Sequence, residues 1–445
     1  MTETVLAPRS LRGVLILLLA ALYPWHIALW ATSYTGKDPV IPHGGLNVSL
    51  GDSVIAIVGV TLLLQAAVGR LRLPRYTLHA SLWLLAAAIS TTVNALAPGV
   101  YFALRDSLMG LVKIGAAMMW MIAVFWLLQD NLPKRILQLV GLSVIAGVGF
   151  AIEAIIENVF FGVQRSFGPF QNANIFGNYL VLNLFFAIAL DRFLGGPAGL
   201  AFRPTVRAGI RGALRYGAVT LLLLGLLASG SRGAIAGFVA GLIPAVPWAR
   251  ISHISLRGIV TAVLGIIVLT AALDWYLAQN PFVVSRFTQT AEGRGPNVEE
   301  RFELWQAAEQ AFSQNPVVGL GYTQFPNYAG LEPDLRATVT HQTYLATAAE
   351  LGVVGLVTLG WLLISVIRDS WRVRDKFYLG FAHGCCGFVV AACTQGLFNN
   401  VQQERSLWIT FGIVAAVIAQ IQYASHRELA LQRGGRRRRP WRVSQ

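Results

Sequence analysis

Apolar runs of about twenty residues recur along the whole chain, each long enough to cross roughly 30 Å of hydrocarbon as a helix. The composition leaves little room for another fold. Of 445 residues 55% are hydrophobic and only 13% are charged, too little polar surface to cover a soluble globule of that size. The spans expected are Leu11 to Ala31, Asp52 to Val68, Leu78 to Ala97, Ser107 to Leu128, Ile136 to Phe161 and Ile175 to Leu190. They continue with Tyr216 to Ser229, Ala234 to Trp248, Gly258 to Leu273, Thr343 to Ile367, Phe377 to Leu397 and Leu407 to Tyr423. The reading is an all-α integral membrane protein of about twelve transmembrane helices.

Basic residues set the orientation. With the N-terminus in the cytoplasm, about 25 Lys and Arg fall inside against about 9 outside, which obeys the positive-inside rule; the opposite orientation inverts that bias. Residues 1–273 then hold helices one to nine, 274–342 a long external loop, 343–423 helices ten to twelve, and 424–445 a basic cytoplasmic tail. The first span reads as an uncleaved anchor, because it is longer than a signal peptide's apolar region.

The formal net charge of +14 raises the question of nucleic acid, but the inside bias accounts for most of it. The arginine-rich tail, Arg433 to Arg442, reads as a contact to anionic lipid, with no nucleic-acid partner expected. Cys385, Cys386 and Cys393 share one predicted helix without the spacing of a disulfide framework or a zinc site, and read as packing residues.

The external segment Asp274 to Gln342 is far longer than an ordinary connection. Within it, Val298 to Gln314 carries Phe302, Trp305, Ala308 and Phe312 at helical spacing and reads as an amphipathic helix. Asn315-Pro316-Val317-Val318-Gly319-Leu320-Gly321-Tyr322 follows, a turn that either docks on the bundle or forms a substrate platform. Two shorter external turns present arginine at the same face: Gln164 to Asn174, with Arg165, and the tight hairpin Ser229-Gly230-Ser231-Arg232-Gly233. Arginine at that depth snorkels, pairs or binds an anion, so Arg165, Arg232 and Arg301 divide between anion binding and structural pairing. Glu153 and Glu157, one turn apart on helix five, are the available structural partners.

His341 stands at the mouth of the tenth span in Thr340-His341-Gln342-Thr343-Tyr344-Leu345, where imidazole can titrate near neutral pH on rigid backbone. The other six histidines lie in helices, in the cytoplasm or in a Pro/Gly-rich loop. Arginines with one histidine suit transfer from a lipid diphosphate. Guanidinium forks neutralise the phosphates, a neutral imidazole takes the acceptor's proton, and no metal or other cofactor is required. Glu332-Pro333-Asp334 is the nearest approach to a carboxylate pair in the external segments and is a weak one.

Four signatures, in order, resemble the O-antigen ligase superfamily, which also includes O-antigen and exopolysaccharide polymerases. They are Arg165 with Gly168, Phe170 and Asn172-Ala173-Asn174; Ser229-Gly230-Ser231-Arg232-Gly233; Arg301 to Trp305 followed by Asn315 to Gly321; and His341 to Leu345 followed by Glu350-Leu351-Gly352-Val353-Val354-Gly355. The resemblance implies a GT-C-like, metal-independent, inverting glycosyltransferase of the bacterial inner membrane, acting at the periplasmic face in lipopolysaccharide biosynthesis. It implies an undecaprenyl-diphosphate-linked glycan as donor and a lipid A-core sugar as acceptor. It makes His341 the catalytic base, with Arg232, Arg301 and Arg165 holding the diphosphate and Tyr344 among the substrate-binding residues. A polysaccharide polymerase using the same donor is the alternative, and a secondary transporter a more distant one, since no internal repeat is evident.

Overall fold

The computed structural model describes residues 11–24, 28–31, 47–69, 71–170, 172–194, 208–245, 271, 273–281, 285, 296–331 and 338–436. Helices dominate: α1 (Leu11–Leu22), α2 (Leu50–Ala67), α3 (Thr77–Leu96), α4 (Leu104–Leu128), α5 (Leu132–Phe161), α6 (Ala173–Leu194), α7 (Ala208–Ala228) and α8 (Arg232–Ala245). The amphipathic α9 (Pro296–Gln314), the short α10 (Phe325–Ala329), α11 (Thr343–Trp371), α12 (Leu379–Gln395) and α13 (Arg405–Arg436) follow. Seven of the described helices are long and apolar enough to cross a membrane, and α1, α12, α8 and the apolar part of α7 are shorter apolar helices. The ninth expected span, Gly258 to Leu273, lies almost wholly outside the described residues.

Two expected spans differ from a plain helix, the first in its extent and the second by a break. The first span, read as Leu11 to Ala31, ends as a helix at Leu22. Twelve residues of helix rise about 18 Å, short of the hydrocarbon thickness. Tyr23-Pro24 ends it, and the buried Tyr23 hydroxyl is 3.1 Å from Ser143 Oγ on α5. Beyond it Ala28–Ala31 pairs antiparallel with Asn47–Ser49, a small β-ribbon beside the helices.

The second concerns Thr343 to Ile367, expected as a spanning helix, which is present within α11 but kinked. It breaks at Gly352 (φ 65°, ψ −161°), a backbone conformation open essentially to glycine alone. Two carbonyls and one amide freed by the break are used at once. Leu320 N donates to Ala349 O (2.9 Å), Gly321 N to Glu350 O (3.1 Å) and Val353 N to Pro316 O (2.8 Å). A Cβ on Gly352 would lie 2.2 Å from Val317 O, and one on Gly319 2.3 Å from the Glu350 carbonyl carbon. The Asn-Pro-x-x-Gly-x-Gly and Glu-Leu-Gly signatures are therefore two halves of one packing device, and the 315–321 turn docks on the bundle. Ser90 Oγ also donates to Glu350 O (2.8 Å) and Asn94 Nδ2 to Gly319 O (3.0 Å), which fastens the device to α3.

At the far end of the bundle, Asp369 on α11 ties to α3 through Arg75 Nη2 (3.1 Å) and the Tyr76 hydroxyl (3.3 Å). α8 and α12 approach closely through small residues, as membrane helices do where backbones meet: a Cβ on Gly237 would lie 2.5 Å from Ala391 O. Cys385 and Cys386 are buried free thiols on α12, and Cys393 is a partly exposed one. The amphipathic α9 is present, but its buried stripe is Leu304, Ala307, Ala308 and Ala311, with Phe302 56% exposed. The sequence register was offset because Phe302 and Trp305 pack on each other, ring centroids 5.4 Å apart, rather than inward together.

Candidate functional site

The expected site residues lie on four separate stretches of chain, and the structure gathers those stretches around one amide pair. Asn174, at the start of α6, donates from Nδ2 to Asn399 Oδ1 (2.8 Å), in the connection between α12 and α13. Asn174 Oδ1 accepts from Arg165 Nη2 (3.1 Å) and Ser231 Oγ (3.1 Å), while its carbonyl accepts from Gln395 Nε2 (3.0 Å). One asparagine thus holds the Arg165 loop, the Arg232 hairpin and the end of α12.

Each arginine has a backbone setting that fixes its origin. Arg165 also donates from Nε to Ser229 O (3.3 Å), and its loop is anchored beneath by Ser166 and Asn158. Asn158 Nδ2 donates to Val163 O (2.7 Å) and Ser166 Oγ (3.1 Å), and Asn158 Oδ1 accepts from the Tyr276 hydroxyl (2.7 Å). Burial pushes the Tyr276 hydroxyl above the usual phenol range, keeping it a donor. Arg232 is the first residue of α8, bracketed by Ser231, which binds Asn174, and Gly233, which packs against Asn399 and Phe398. Arg301, on α9, donates from Nη1 to Phe398 O (3.3 Å), on the same 396–404 connection. Arg165 and Arg301 both donate to amide or carbonyl oxygens.

His341 enters the cluster between clamps on both sides. Before it, Thr340 O accepts from Trp305 Nε1 (3.0 Å), and Thr340 Oγ1 lies 3.4 Å from Asn400 Oδ1. After it, the Gln342 side chain caps α11 by accepting from Leu345 N. Thr343 N donates to Gly396 O (2.7 Å), and Thr343 Oγ1 donates to Asn399 O (2.8 Å) and accepts from Val401 N (2.9 Å). His341 itself takes φ 52°, in the left-handed region that non-glycine residues seldom occupy. That conformation costs of order 1 kcal/mol and is held by the clamps around it. Tyr344 turns its hydroxyl to Cys393 O (2.8 Å), and with Thr343 and Gln402 it lines a small cavity that Leu359 and Leu363, beyond the Gly352 break, also border.

The connection 395–405 escaped the sequence reading. Its signal was present: Gln395, Asn399, Asn400, Gln402, Gln403, Glu404 and Arg405 crowd a polar run between two apolar helices, and polar groups at membrane depth mark function or structure that must be satisfied. Glu404 is buried and accepts from Asn178 Nδ2 on α6, and burial pushes its carboxyl up to about 8. Tyr322, in the docked turn, accepts from Gln403 Nε2; burial, then the nearby Glu350, raises its hydroxyl above the usual phenol range. Glu332 and Asp334, the weak carboxylate pair, lie outside the described residues, and so does most of the arginine tail.

Fold and site together define a multi-pass helical membrane protein in which arginines, amides and one histidine converge where several helices begin or end. Residues 217–360 match the family described as O-antigen ligase, a stretch that runs from α7 through the Arg232 hairpin, α9 and His341. The match supports the O-antigen ligase superfamily for this chain, with its ligase- and polymerase-type membrane glycosyltransferases acting on a lipid-linked glycan. No curated protein matches the chain.

Proposed function

We propose that the protein transfers an O-antigen glycan from undecaprenyl diphosphate to a sugar hydroxyl of the lipid A core, at the periplasmic face of the bacterial inner membrane. The observation that carries this reading is the meeting of Arg165, the Arg232 hairpin, the Arg301 helix and the His341 turn around Asn174 and Asn399. Positive-inside bias supports the orientation, since it puts that end of the bundle outside.

In this mechanism the acceptor oxygen attacks the anomeric carbon as the bond from that carbon to the diphosphate oxygen breaks. The leaving lipid diphosphate keeps the electron pair, and arginine forks stabilise its charge where it develops. A sugar hydroxyl is too weak an acid to be ionised beforehand by imidazole, so His341 accepts the proton as the new bond forms. Attack from the face opposite the diphosphate inverts the anomeric centre. The left-handed backbone at His341, clamped by Trp305 and Asn399, fixes where the ring originates, and such positioning is a large part of the barrier. Tyr344 forms part of the wall beside it.

The test uses purified protein in detergent, undecaprenyl-diphosphate glycan as donor, rough lipopolysaccharide as acceptor, and chelator throughout. Expected are glycan on lipid A core with the wild type and turnover lowered by about 10² or more with His341→Ala. Equal transfer by both removes the base assignment. A ladder growing on the polyprenyl diphosphate, with nothing on lipid A core, makes the protein a polymerase, which the family match equally accommodates.

A further inference from the structure

At the far end of the bundle, the end that positive-inside bias assigns to the cytoplasm, two guanidiniums meet on one buried carboxylate. Arg75, just before α3, reaches Asp369 Oδ2 from Nη2 (3.1 Å), and Arg368 on α11 reaches Asp369 Oδ1 from Nε (3.4 Å). The Tyr76 hydroxyl donates to Oδ2 as well (3.3 Å), so both oxygens of Asp369 are spent inside the protein. The two arginine side chains stay 41% and 46% exposed, and two positive charges on one carboxylate leave one over. Arg72, Arg372, Arg374 and Lys376 are exposed close by in the chain, while Asp375 turns back to accept from Phe377 N (2.9 Å) and Tyr378 N (3.1 Å). Positive-inside bias asks only that cations lie on this side of the membrane. It does not ask that two of them converge on a buried acid where two helices meet.

The surface that leads from these cations into the bilayer is apolar. Ile364 and Trp361 share the face of Arg368 by helical spacing, roughly 6 and 10 Å deeper along α11. They are 63% and 46% exposed. On α3, Leu78 is 61% exposed, and His79 beside it packs against Trp361 with ring centroids 4.6 Å apart, which seals the seam between the two helices. Trp371 is also exposed and stacks on His383 (4.9 Å, 15°), near the α11 end where aromatic rings suit the membrane boundary. A free anion would use the arginines and none of this apolar face; a neutral lipid would use the face and leave the extra charge unbalanced. We propose that the seam between α3 and α11 binds an anionic phospholipid, its phosphate between Arg75 and Arg368 and its acyl chains along Ile364 and Trp361. A phosphodiester carries the one negative charge that the Asp369 group leaves unbalanced, and its oxygens accept from guanidinium forks. α3 and α11 also hold the 315–321 turn at the opposite face, through Ser90 and the Gly352 break, so the lipid braces that same pair of helices. The site does not depend on the transferase reading.

The test titrates a fluorescent phosphatidylglycerol into the purified full-length protein in neutral detergent and displaces it with unlabelled competitors. Expected is saturable binding, displaced about tenfold better or more by phosphatidylglycerol than by phosphatidylcholine with the same chains. Glycerol phosphate, which has the charge without the chains, is expected not to displace it. Arg368→Gln leaves Asp369 paired with Arg75 and Tyr76, and is expected to weaken binding about fivefold. Arg75→Lys keeps a cation for Asp369 but loses the planar fork, and is expected to weaken binding in the same direction. Replacing Arg437, Arg438 and Arg439 together by Gln removes more charge but touches the tail alone, and is expected to change binding by less than about twofold. Thermal unfolding of each variant confirms that it is folded. Equal displacement by the two phospholipids overturns the site, as does displacement by glycerol phosphate. So does unchanged binding in both Arg368→Gln and Arg75→Lys, or a loss in the tail variant as large as in Arg368→Gln.

Discussion

Asn399→Ala isolates the joint on which the site is built. The substitution removes the Oδ1 that accepts from Asn174 Nδ2 at 2.8 Å but keeps the Asn399 carbonyl that accepts from Thr343, so the α11 start stays tied down. Asn174 is left with a half-buried unpaired donor, a penalty of about 1–2 kcal/mol. Its amide also becomes free to rotate, and its Oδ1 is the acceptor shared by Arg165 and Ser231. If that penalty falls on the reacting geometry, kcat/KM drops about 5- to 30-fold, since 1.4 kcal/mol is a factor of ten. The assay is glycan transfer by Asn399→Ala, Asn174→Ala and the double variant, with melting temperatures alongside. One shared hydrogen bond predicts a double variant little worse than the more damaged single one. Wild-type kcat/KM in Asn399→Ala, or losses that simply add in the double variant, would refute the idea that this pair organises the arginines.

Other tests reach different parts of the structure. Arg232→Ala should weaken donor binding more than Arg232→Lys, which keeps the charge but not the bidentate fork; wild-type donor affinity in both variants would make Arg232 structural. Gly352→Ala places a Cβ 2.2 Å from Val317 O at a backbone conformation that only glycine adopts, costing about 3 kcal/mol or more, and should lower the melting temperature and loosen the 315–321 turn to proteolysis. Glu404 gives a pH signature. Its folded carboxyl titrates near 8 because burial disfavours its charge, so the folded state holds a proton that the unfolded state has released between about pH 4.5 and 8. Its stabilising contribution is therefore full below that window and lost as pH rises through 8. The wild-type melting temperature should fall more between pH 5 and 8 than that of Glu404→Gln, and parallel falls would contradict the assignment.

The membrane class was readable because periodicity was scarcely needed: long apolar runs and the distribution of basic residues are local properties, and most helices fall within a few residues of their expected bounds. The motif residues were equally plain, because Arg165, Arg232, Arg301 and His341 stand out in a chain so poor in charge. Local pattern misled where a tertiary partner decides the backbone. Hydropathy carries the first span on to Ala31, but Tyr23-Pro24 ends the helix and the Tyr23 hydroxyl meets Ser143. Apolar sequence runs unbroken through Gly352, yet the helix breaks there because the 315–321 turn supplies donors for the released carbonyls.

By itself, then, the sequence determined a helical membrane protein and the side chains with enough charge or basicity for chemistry at the bilayer edge. Which of those meet was decided only by tertiary structure. Asn174 and Asn399 are 225 residues apart, and nothing local distinguishes a hub asparagine from one that faces solvent. A hydrogen bond between them exists only once α6, α8, α11 and α12 have packed, because its energy depends on burial and geometry that no single segment possesses.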